Sequence, residues 1–430
     1  MLTPEENDLL TRVEGDAPMG RLMRQHWTPV CLLEEIREPG GTPLLVEVLG
    51  EKYVAFRGPG GDVGLLDELC PHRFASLVYA RNEDCGLRCL YHGWAFDTNG
   101  NTVSMPSEPE GSPLMSRVKQ PAYPVKEWGG FLWAWFGDKE QIPEFDPPAF
   151  APTDDTYVAI AKIRLNCNWA QILEGQIDSA HSSNLHSSDM VPARVDRAAA
   201  DSKGWYRPST DKAPRLEAER TSYGFHYAAI RRPSKNAAEN QYLRITEYVA
   251  PYYACIPPNA SYNVTALIVP IDDENSWFHF MAWGPDAPDT ETWRKFLGAQ
   301  PGVHIDQNWV SFRNHANRFQ QDRKKMELGD FTGIAGIPHQ DIAMWVSMGP
   351  IVNRTDDVLG ASDIAIVEFR RTMVDAAKAV QKGKPAIGTG SSRIPQASIG
   401  SREGVFPKSV EWRSIDAKTL RVGELEKAVA

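Results

Sequence analysis

Two cysteine–histidine pairs constrain this chain more than any other feature. Cys70 and His72 form C-x-H, and sixteen residues further on Cys89 and His92 form C-x₂-H, all within CPHRFASLVYARNEDCGLRCLYHGW (70–94). Each pair offers one thiolate and one imidazole, so the four serve one site only if two loops are brought face to face. Pro71 and Gly93 suit the tight turns this requires. The surrounding text agrees: from about residue 40 to 136 it runs in short β-segments with turn punctuation, as in PLLVEVLGEKYVAF (43–56), FDTNGNTV (96–103) around Asn99-Gly100, and GGFLWAWFG (129–137). An all-β unit is expected here. Cys85, four residues before Cys89, is read as a buried thiol, because the four ligand positions are already filled.

The donor set narrows the chemistry. Structural zinc more often takes C-x₂₋₄-C with H-x₃₋₅-H, whereas a Rieske [2Fe–2S] centre needs two Cys on one iron and two His on the other. The two-loop pattern satisfies the second requirement, with structural zinc as the alternative. Replacing two thiolates by neutral imidazoles raises the reduction potential, which suits a one-electron relay. Six cysteines in 430 residues are too sparse for a secreted disulfide scaffold.

Pro143, Pro147, Pro148 and Pro152 crowd one short stretch that can continue neither a helix nor a central strand. The expected division is therefore residues 1–150, with an N-terminal helical arm capped by Thr3, Pro4 and Glu6, and residues 151–430. The second half reads as α+β: a helix over 168–181, alternating runs YLRITEYVA (242–250) and WFHFMAW (277–283), and a long helix over 363–381 with Ile366, Phe369, Met373, Ala377 and Val380 on one face. The Gly/Ser/Pro-rich stretch 383–400 reads as a surface loop.

NWAQILEGQIDSAHSSNLHSS (168–188) carries a second constellation. On a helix Glu174, Asp178 and His181 fall at i, i+4 and i+7 and share a stripe. His186 lies five residues on, about 500° round an ideal helix, so both imidazoles reach one ion only if the helix ends between them. Ser182, Ser183 and Asn184 are suited to end it. Two His and one carboxylate with open positions make the facial triad of non-haem Fe(II) oxygenases, and a solvated amphipathic helix is the alternative. The carboxylate must come from elsewhere; Asp322, Asp330, Asp341, Asp356 and Asp363 are candidates.

Composition excludes other partners. With 46 basic against 56 acidic residues the net charge is −10, which disfavours nucleic acid or an anionic membrane as partner. No apolar run approaches the ~18 residues of a membrane span, and MLTPEENDLL lacks the regions of a signal peptide, so a cytoplasmic location is expected. An anionic substrate would need local arginines. Around YLRITEYV, Arg244, Thr246 and Tyr248 share a polar strand face opposite Leu243, Ile245 and Val249. Arginine forks hold carboxylates bidentately.

With both motifs in place, the chain resembles the Rieske non-haem iron ring-hydroxylating oxygenases along most of its length. LTPEEN, SMPSEPEGS (104–112) and QDIAMWVSMGPIVNRTDDVLGASD (340–363) are similar to the phthalate 4,5-dioxygenase group. The resemblance implies an N-terminal Rieske domain followed by an antiparallel sheet gripped by helices, and it places the third iron ligand at Asp341 beside His181 and His186. It implies that Asp178 bridges to a Rieske histidine of a neighbouring subunit in a cyclic trimer, or in a stacked hexamer. Arg207 and Arg244 match the substrate arginines of the group, with Arg215, Arg220, Arg231 and Arg232 weaker candidates, and Ser179 would donate a hydrogen bond to substrate. The expected activity is dioxygenation of phthalate to its cis-4,5-dihydrodiol, with O₂ and electrons from an NADH-dependent flavin and iron–sulfur reductase, since no nucleotide-binding fingerprint occurs here. The alternatives are a Rieske O-demethylase, a dioxygenase for isophthalate or another arylcarboxylate, a non-enzymatic Rieske carrier and a zinc-stabilised binding protein.

Overall fold

Turn chemistry lays out the first unit. Leu49 and Gly50, at φ 54° and 78°, close a two-residue turn between β2 (Leu44–Val48) and β3 (Glu51–Arg57), to which β4 (Val63–Asp67) adds. Primed turns of this kind match the twist of the strands they join. Asp84 and Cys85 form the turn between β5 (Arg81–Glu83) and β6 (Gly86–Arg88), and β7 (Ala95–Phe96) and β8 (Thr102–Ser104) complete that sheet. The Asn99-Gly100 turn joins β7 to β8. Gly100 has φ +75°, and a Cβ there would lie 1.9 Å from the Gln120 carbonyl oxygen, so only glycine fits. A third sheet has the order β1 (Trp27–Leu32), β10 (Phe131–Trp135), β9 (Val125–Trp128), and α3 (Leu114–Arg117) is a single turn.

This computed structural model describes residues 1–189, 207–258, 261–390 and 393–416. The chain divides between Phe145 and Asp146, inside the proline cluster. The N-terminal arm differs from the expected 1–150 grouping, because Met1–Val13 and Ala17–Leu22 belong with the second unit. The reason is a set of bonds from the arm to distant residues of that unit: Arg354 Nη1 donates to Asn7 Oδ1 at 3.2 Å, Lys378 Nζ to Glu6 at 2.8 Å, and Val13 N to Asp273 at 2.7 Å. The arm comprises α1 (Pro4–Thr11), with the expected Thr3–Glu6 capping box, and α2 (Pro18–Met23).

The second unit is an eight-stranded antiparallel sheet with helices against it. Its order is β11 (Val158–Leu165), β17 (Ser276–Trp283), β16 (Asn263–Pro270), β15 (Tyr253–Ile256), β14 (Asn240–Val249), β13 (Gly224–Arg231) and β12 (Arg215–Thr221). β18 (Arg402–Pro407) also pairs with β14, along Asn240–Ile245, beyond the part that β15 covers. Strand β14 is buried from Tyr242 to Val249, so its polar face is enclosed within the unit.

Helix α4 (Trp169–Ile177) packs on β15 and β16, α5 (Thr290–Leu297) on β11, and α8 (Ile364–Gln381) on β12 and β13 with its predicted apolar stripe buried. The turn α6 (Arg323–Glu327) precedes α7 (Ile337–Ser347), which packs against α4. A Cβ on Gly175 would lie 2.0 Å from Trp345 Nε1, so glycine lets α4 and α7 approach closely. Of the loop 383–400, Ser391 and Ser392 lie outside the described residues. Gln396 in that loop accepts from Ala149 N and the Tyr253 hydroxyl, which fastens it to the unit.

Candidate active site

In the first unit Cys70 and Cys89 are buried while His72 and His92 are half-exposed, so any electron arriving from outside meets imidazole first. The loops are held by tight backbone bonds, Phe74 N to Cys70 O and Gly93 N to Cys89 O, at 2.9 and 3.0 Å. Gly93 adopts φ +75° against Pro106, where a Cβ would come within 2.7 Å. The two imidazole rings meet edge to face with centroids 4.4 Å apart, and Trp94 stacks on His72 at 4.3 Å. Burial pushes the Cys70 thiol up to about 11, with neighbouring Cys89 adding to the shift against the lowering pull of the His72 amide. His92 Nδ1 is buried without a hydrogen-bond partner. Two buried thiols and an orphaned imidazole nitrogen on opposed loops fit a [2Fe–2S] cluster with mixed Cys and His donors. Cys85 differs from expectation: it is exposed at the β5–β6 hairpin tip, where a two-residue turn leaves no core to enter, and its sulfur lies 3.7 Å from Arg88 Nη2.

In the second unit α4 ends earlier than its pattern predicts. Asp178 is its C-cap, and Asp178 Oδ1 accepts from Ala180 N at 2.7 Å and His181 N at 3.4 Å, replacing helical bonds with a side-chain turn. The break therefore falls before His181, not at Ser182–Asn184, and a 3₁₀ turn (His181–Ser183) follows. The same break removes Glu174 from the site. Its carboxylate instead takes Arg354 Nε at 2.9 Å and Arg370 Nε at 2.7 Å.

Among the described residues, His181, His186 and Asp341 form a group whose ligand atoms all lie within 4.8 Å of one another. Asp341 comes from α7, and its Oδ1 is 3.4 Å from His181 Nε2 and 3.2 Å from His186 Nε2. On the far side of each ring, His181 Nδ1 faces Asp178 Oδ2 at 3.4 Å, and His186 Nδ1 is 2.8 Å from Gln340 Oε1. Burial raises the Asp341 carboxyl, but the two imidazoles outweigh it and bring it down to about 2. Burial lowers His181, yet Asp178 and Asp341 carry it up to about 10. A buried set of this composition calls for a cation at its centre, and two imidazoles with one carboxylate fit iron with open positions.

Two buried arginines, Arg207 and Arg231, bond the turn that carries His181, and a third, Arg244, lies close enough to act on both. Arg207 Nη1 and Nη2 donate to Ser183 and Ser182 Oγ at 3.0 and 2.7 Å, while its Nε is unpartnered. Arg231, rated a weaker candidate from sequence, is only 2% exposed and donates to Ser179 Oγ at 3.2 Å and Ser179 O at 2.7 Å. Arg244 donates to the Pro257 carbonyl at 2.6 Å, and its Nε stands 3.9 Å from Glu403. Burial and then Arg244 push Arg207 down to about 9, and the same two causes push Arg231 down to about 10. Such crowding of like charge favours an anion. Arg215, Arg220 and Arg232 do not join this group; they are exposed and paired with Glu217, Glu368 and Asp211. Ser179 is buried and accepts from Arg231, so its hydroxyl hydrogen is the group left to donate. Gln340 and Tyr227, whose hydroxyl donates to Ile177 O at the end of α4, were not singled out from sequence.

Comparison with known proteins agrees with both units. Residues 26–124 match the Rieske [2Fe-2S] domain family and residues 134–429 the LigXa C-terminal domain-like family. The chain is 60% identical over 420 residues to the phthalate 4,5-dioxygenase oxygenase subunit of Pseudomonas putida, covering 97% of this chain and 95% of the other. It is 34% identical to the 3-chlorobenzoate-3,4-dioxygenase oxygenase subunit of Comamonas testosteroni, over 96% and 98% of the two chains. In fold it is similar to the terminal oxygenase of carbazole 1,9a-dioxygenase from Novosphingobium sp. KA1, with a TM-score of 0.56 at 20% identity, over 88% and 96% of the chains. The chain belongs to the Rieske non-haem iron oxygenases, as an oxygenase subunit that carries a [2Fe–2S] cluster and a mononuclear iron and depends on a separate reductase for its electrons.

Proposed function

We propose that this subunit converts phthalate, with O₂, two electrons and two protons, to the cis-4,5-dihydrodiol. The observation that carries this reading is the group of three buried arginines, two of them bonded to the 179–183 turn: a dianion is the ligand that relieves it, and the 60% identical relative is named for phthalate. Cys70, His72, Cys89 and His92 would hold the cluster, and His181, His186 and Asp341 the iron. When bound, the cluster relays single electrons and the iron supplies open positions for O₂.

The chain's own residues position the rest. Arg207 and Arg244 would clamp the two carboxylates, and Ser179 would donate one further hydrogen bond, fixing which ring carbons face the triad. Asp178, already against His181 Nδ1, would reach a Rieske histidine of a neighbouring subunit in a trimer or stacked hexamer. The electron donor would be an NADH-dependent flavin and iron–sulfur reductase in the cytoplasm.

Single-turnover chemistry tests the proposal. The reduced protein is mixed with phthalate and ¹⁸O₂, and the product is weighed by mass spectrometry. A dihydrodiol with two ¹⁸O atoms is expected. Formaldehyde released from an aryl-ether substrate in place of that product would make the protein a demethylase, and turnover of isophthalate alone would change the carboxylate geometry the arginines serve.

A further inference from the structure

We propose that Gln340 is a positioning residue for the iron, holding His186 in the tautomer whose Nε2 is free to bind metal. The two ends of the Gln340 amide have different partners. Gln340 Nε2 donates to Asp189 Oδ2 at 2.7 Å and to the Ile334 carbonyl at 2.9 Å. Both are acceptors only, so they fix which end of the amide is nitrogen. Gln340 Oε1 must then face His186 Nδ1, at 2.8 Å, and an oxygen there requires the ring to donate from Nδ1. The proton is thereby placed on the nitrogen away from Asp341, and the lone pair on Nε2, 3.2 Å from Asp341 Oδ1, points into the triad.

The two histidines are supported in different ways. His181 leans on the carboxylate of Asp178, whereas His186 leans on a neutral amide that is buried and has no exposed face. Oriented outer partners fix ring tautomer and ligand basicity. Gln340 also sits next to Asp341 on α7, so one short stretch of helix delivers a ligand and the group that aligns another ligand.

The inference rests on the assignment of His181, His186 and Asp341 to the iron, and its test separates the two. The mononuclear site of the full-length protein is stripped with chelator, leaving the cluster in place. It is then titrated anaerobically with Fe(II), and the nitric oxide adduct is recorded by electron paramagnetic resonance. Gln340→Leu is expected to weaken Fe(II) binding about 10- to 100-fold and to shift the nitrosyl signal, with the reduced-cluster signal per chain unchanged. Gln340→Met keeps the length and packing of the side chain without its amide, and is expected to lose as much Fe(II) affinity as Gln340→Leu, about 10-fold or more.

Parent-like affinity and nitrosyl signal in Gln340→Leu would overturn the inference. So would a Gln340→Met protein that binds Fe(II) as the parent does, since the amide would then serve packing alone. Should Gln340→Leu not fold, Gln340→Met decides by itself, a loss of about tenfold or more supporting the role and parent-like affinity overturning it. His186→Ala serves as the reference: if it keeps Fe(II) affinity, the ligand assignment fails, whereas its loss beside intact Gln340→Leu binding overturns Gln340 alone.

Discussion

Glu174 shows how one side chain can leave a functional pattern and join a structural one. It lies on the stripe with Asp178 and His181 only while the helix continues, and the helix stops at Ile177. Its carboxyl then anchors two buried arginines, Arg354 at 0% side-chain exposure and Arg370 at 6%. Burial raises its pKa, but the two guanidinium groups hold it below the ordinary 4.5. Glu174→Gln is expected to destabilise the second unit by about 3–5 kcal/mol at neutral pH, read by denaturant unfolding, because it leaves buried Arg354 without a carboxylate, while Arg370 keeps Asp357. A carboxyl with a depressed folded pKa contributes its stability above the unfolded value and loses it as pH falls through the folded one. The gap between parent and variant should therefore be full at pH 7 and shrink below about pH 4.5. At the arginines, Arg244→Gln should raise the KM for phthalate by about 10- to 100-fold, the loss of a charged hydrogen bond worth roughly 1.5–3 kcal/mol, and affect benzoate less.

At the scale of elements, the closest approach near the triad is that of α4 and α7. Helix propensity alone predicts that Gly175→Ala stabilises α4 by roughly 1 kcal/mol. The neighbouring Trp345 reverses that expectation, since a Cβ would meet its indole nitrogen at 2.0 Å. Overpacking of this kind costs about 1–3 kcal/mol, so Gly175→Ala should lower the unfolding midpoint, and by displacing the helix that carries Asp341 it should also lower iron content. The same contact explains what the sequence left open. The two-loop cluster motif was legible because its ligands are local and chemically distinctive. Spacing alone left Asp341 as one of five aspartates, because the choice depends on how α7 seats on α4, and only the family resemblance singled it out. Arg231 was undervalued because its role follows from strand register: it pairs with Tyr242 on β14, one step along the face from Arg244. The early end of α4 was hidden because Asp178 is both the helix stop and the partner of His181 Nδ1. Cys85 was misjudged because a hairpin tip, not sulfur chemistry, sets its exposure.

For the whole molecule, net charge and local charge oppose each other. The chain carries −10, yet the proposed substrate site gathers Arg207, Arg231 and Arg244 where water is excluded. A dianion bound there should stabilise the folded state by about 2.7 kcal/mol at a hundred times its Kd. Phthalate should therefore raise the melting temperature, methyl benzoate should not, and Arg207→Gln should abolish the effect; calorimetry on the full-length protein measures all three. The all-β first unit, the α+β second and the boundary between them were legible from alternation and proline placement, and the antiparallel sheet gripped by helices from the family resemblance. The affiliation of the arm was not, because it depends on bonds between residues hundreds of positions apart.

That long-range bonding gives the chain a timetable. Asn7 and Arg354, hydrogen-bonded in the folded protein, are separated by 347 positions. During synthesis the arm leaves the ribosome first, and at ~5–20 residues per second its partner follows roughly 20 to 70 s later. Until then the arm lacks its bonds to Arg354 and Lys378 and has only earlier partners such as Asp273, while the complete 23–145 segment is already free to fold. The arm is thus made before its last partners and secured only after them, and a nascent chain paused before position 354 would hold a complete electron-relay segment while its oxygenase unit still lacked those bonds to its first helix.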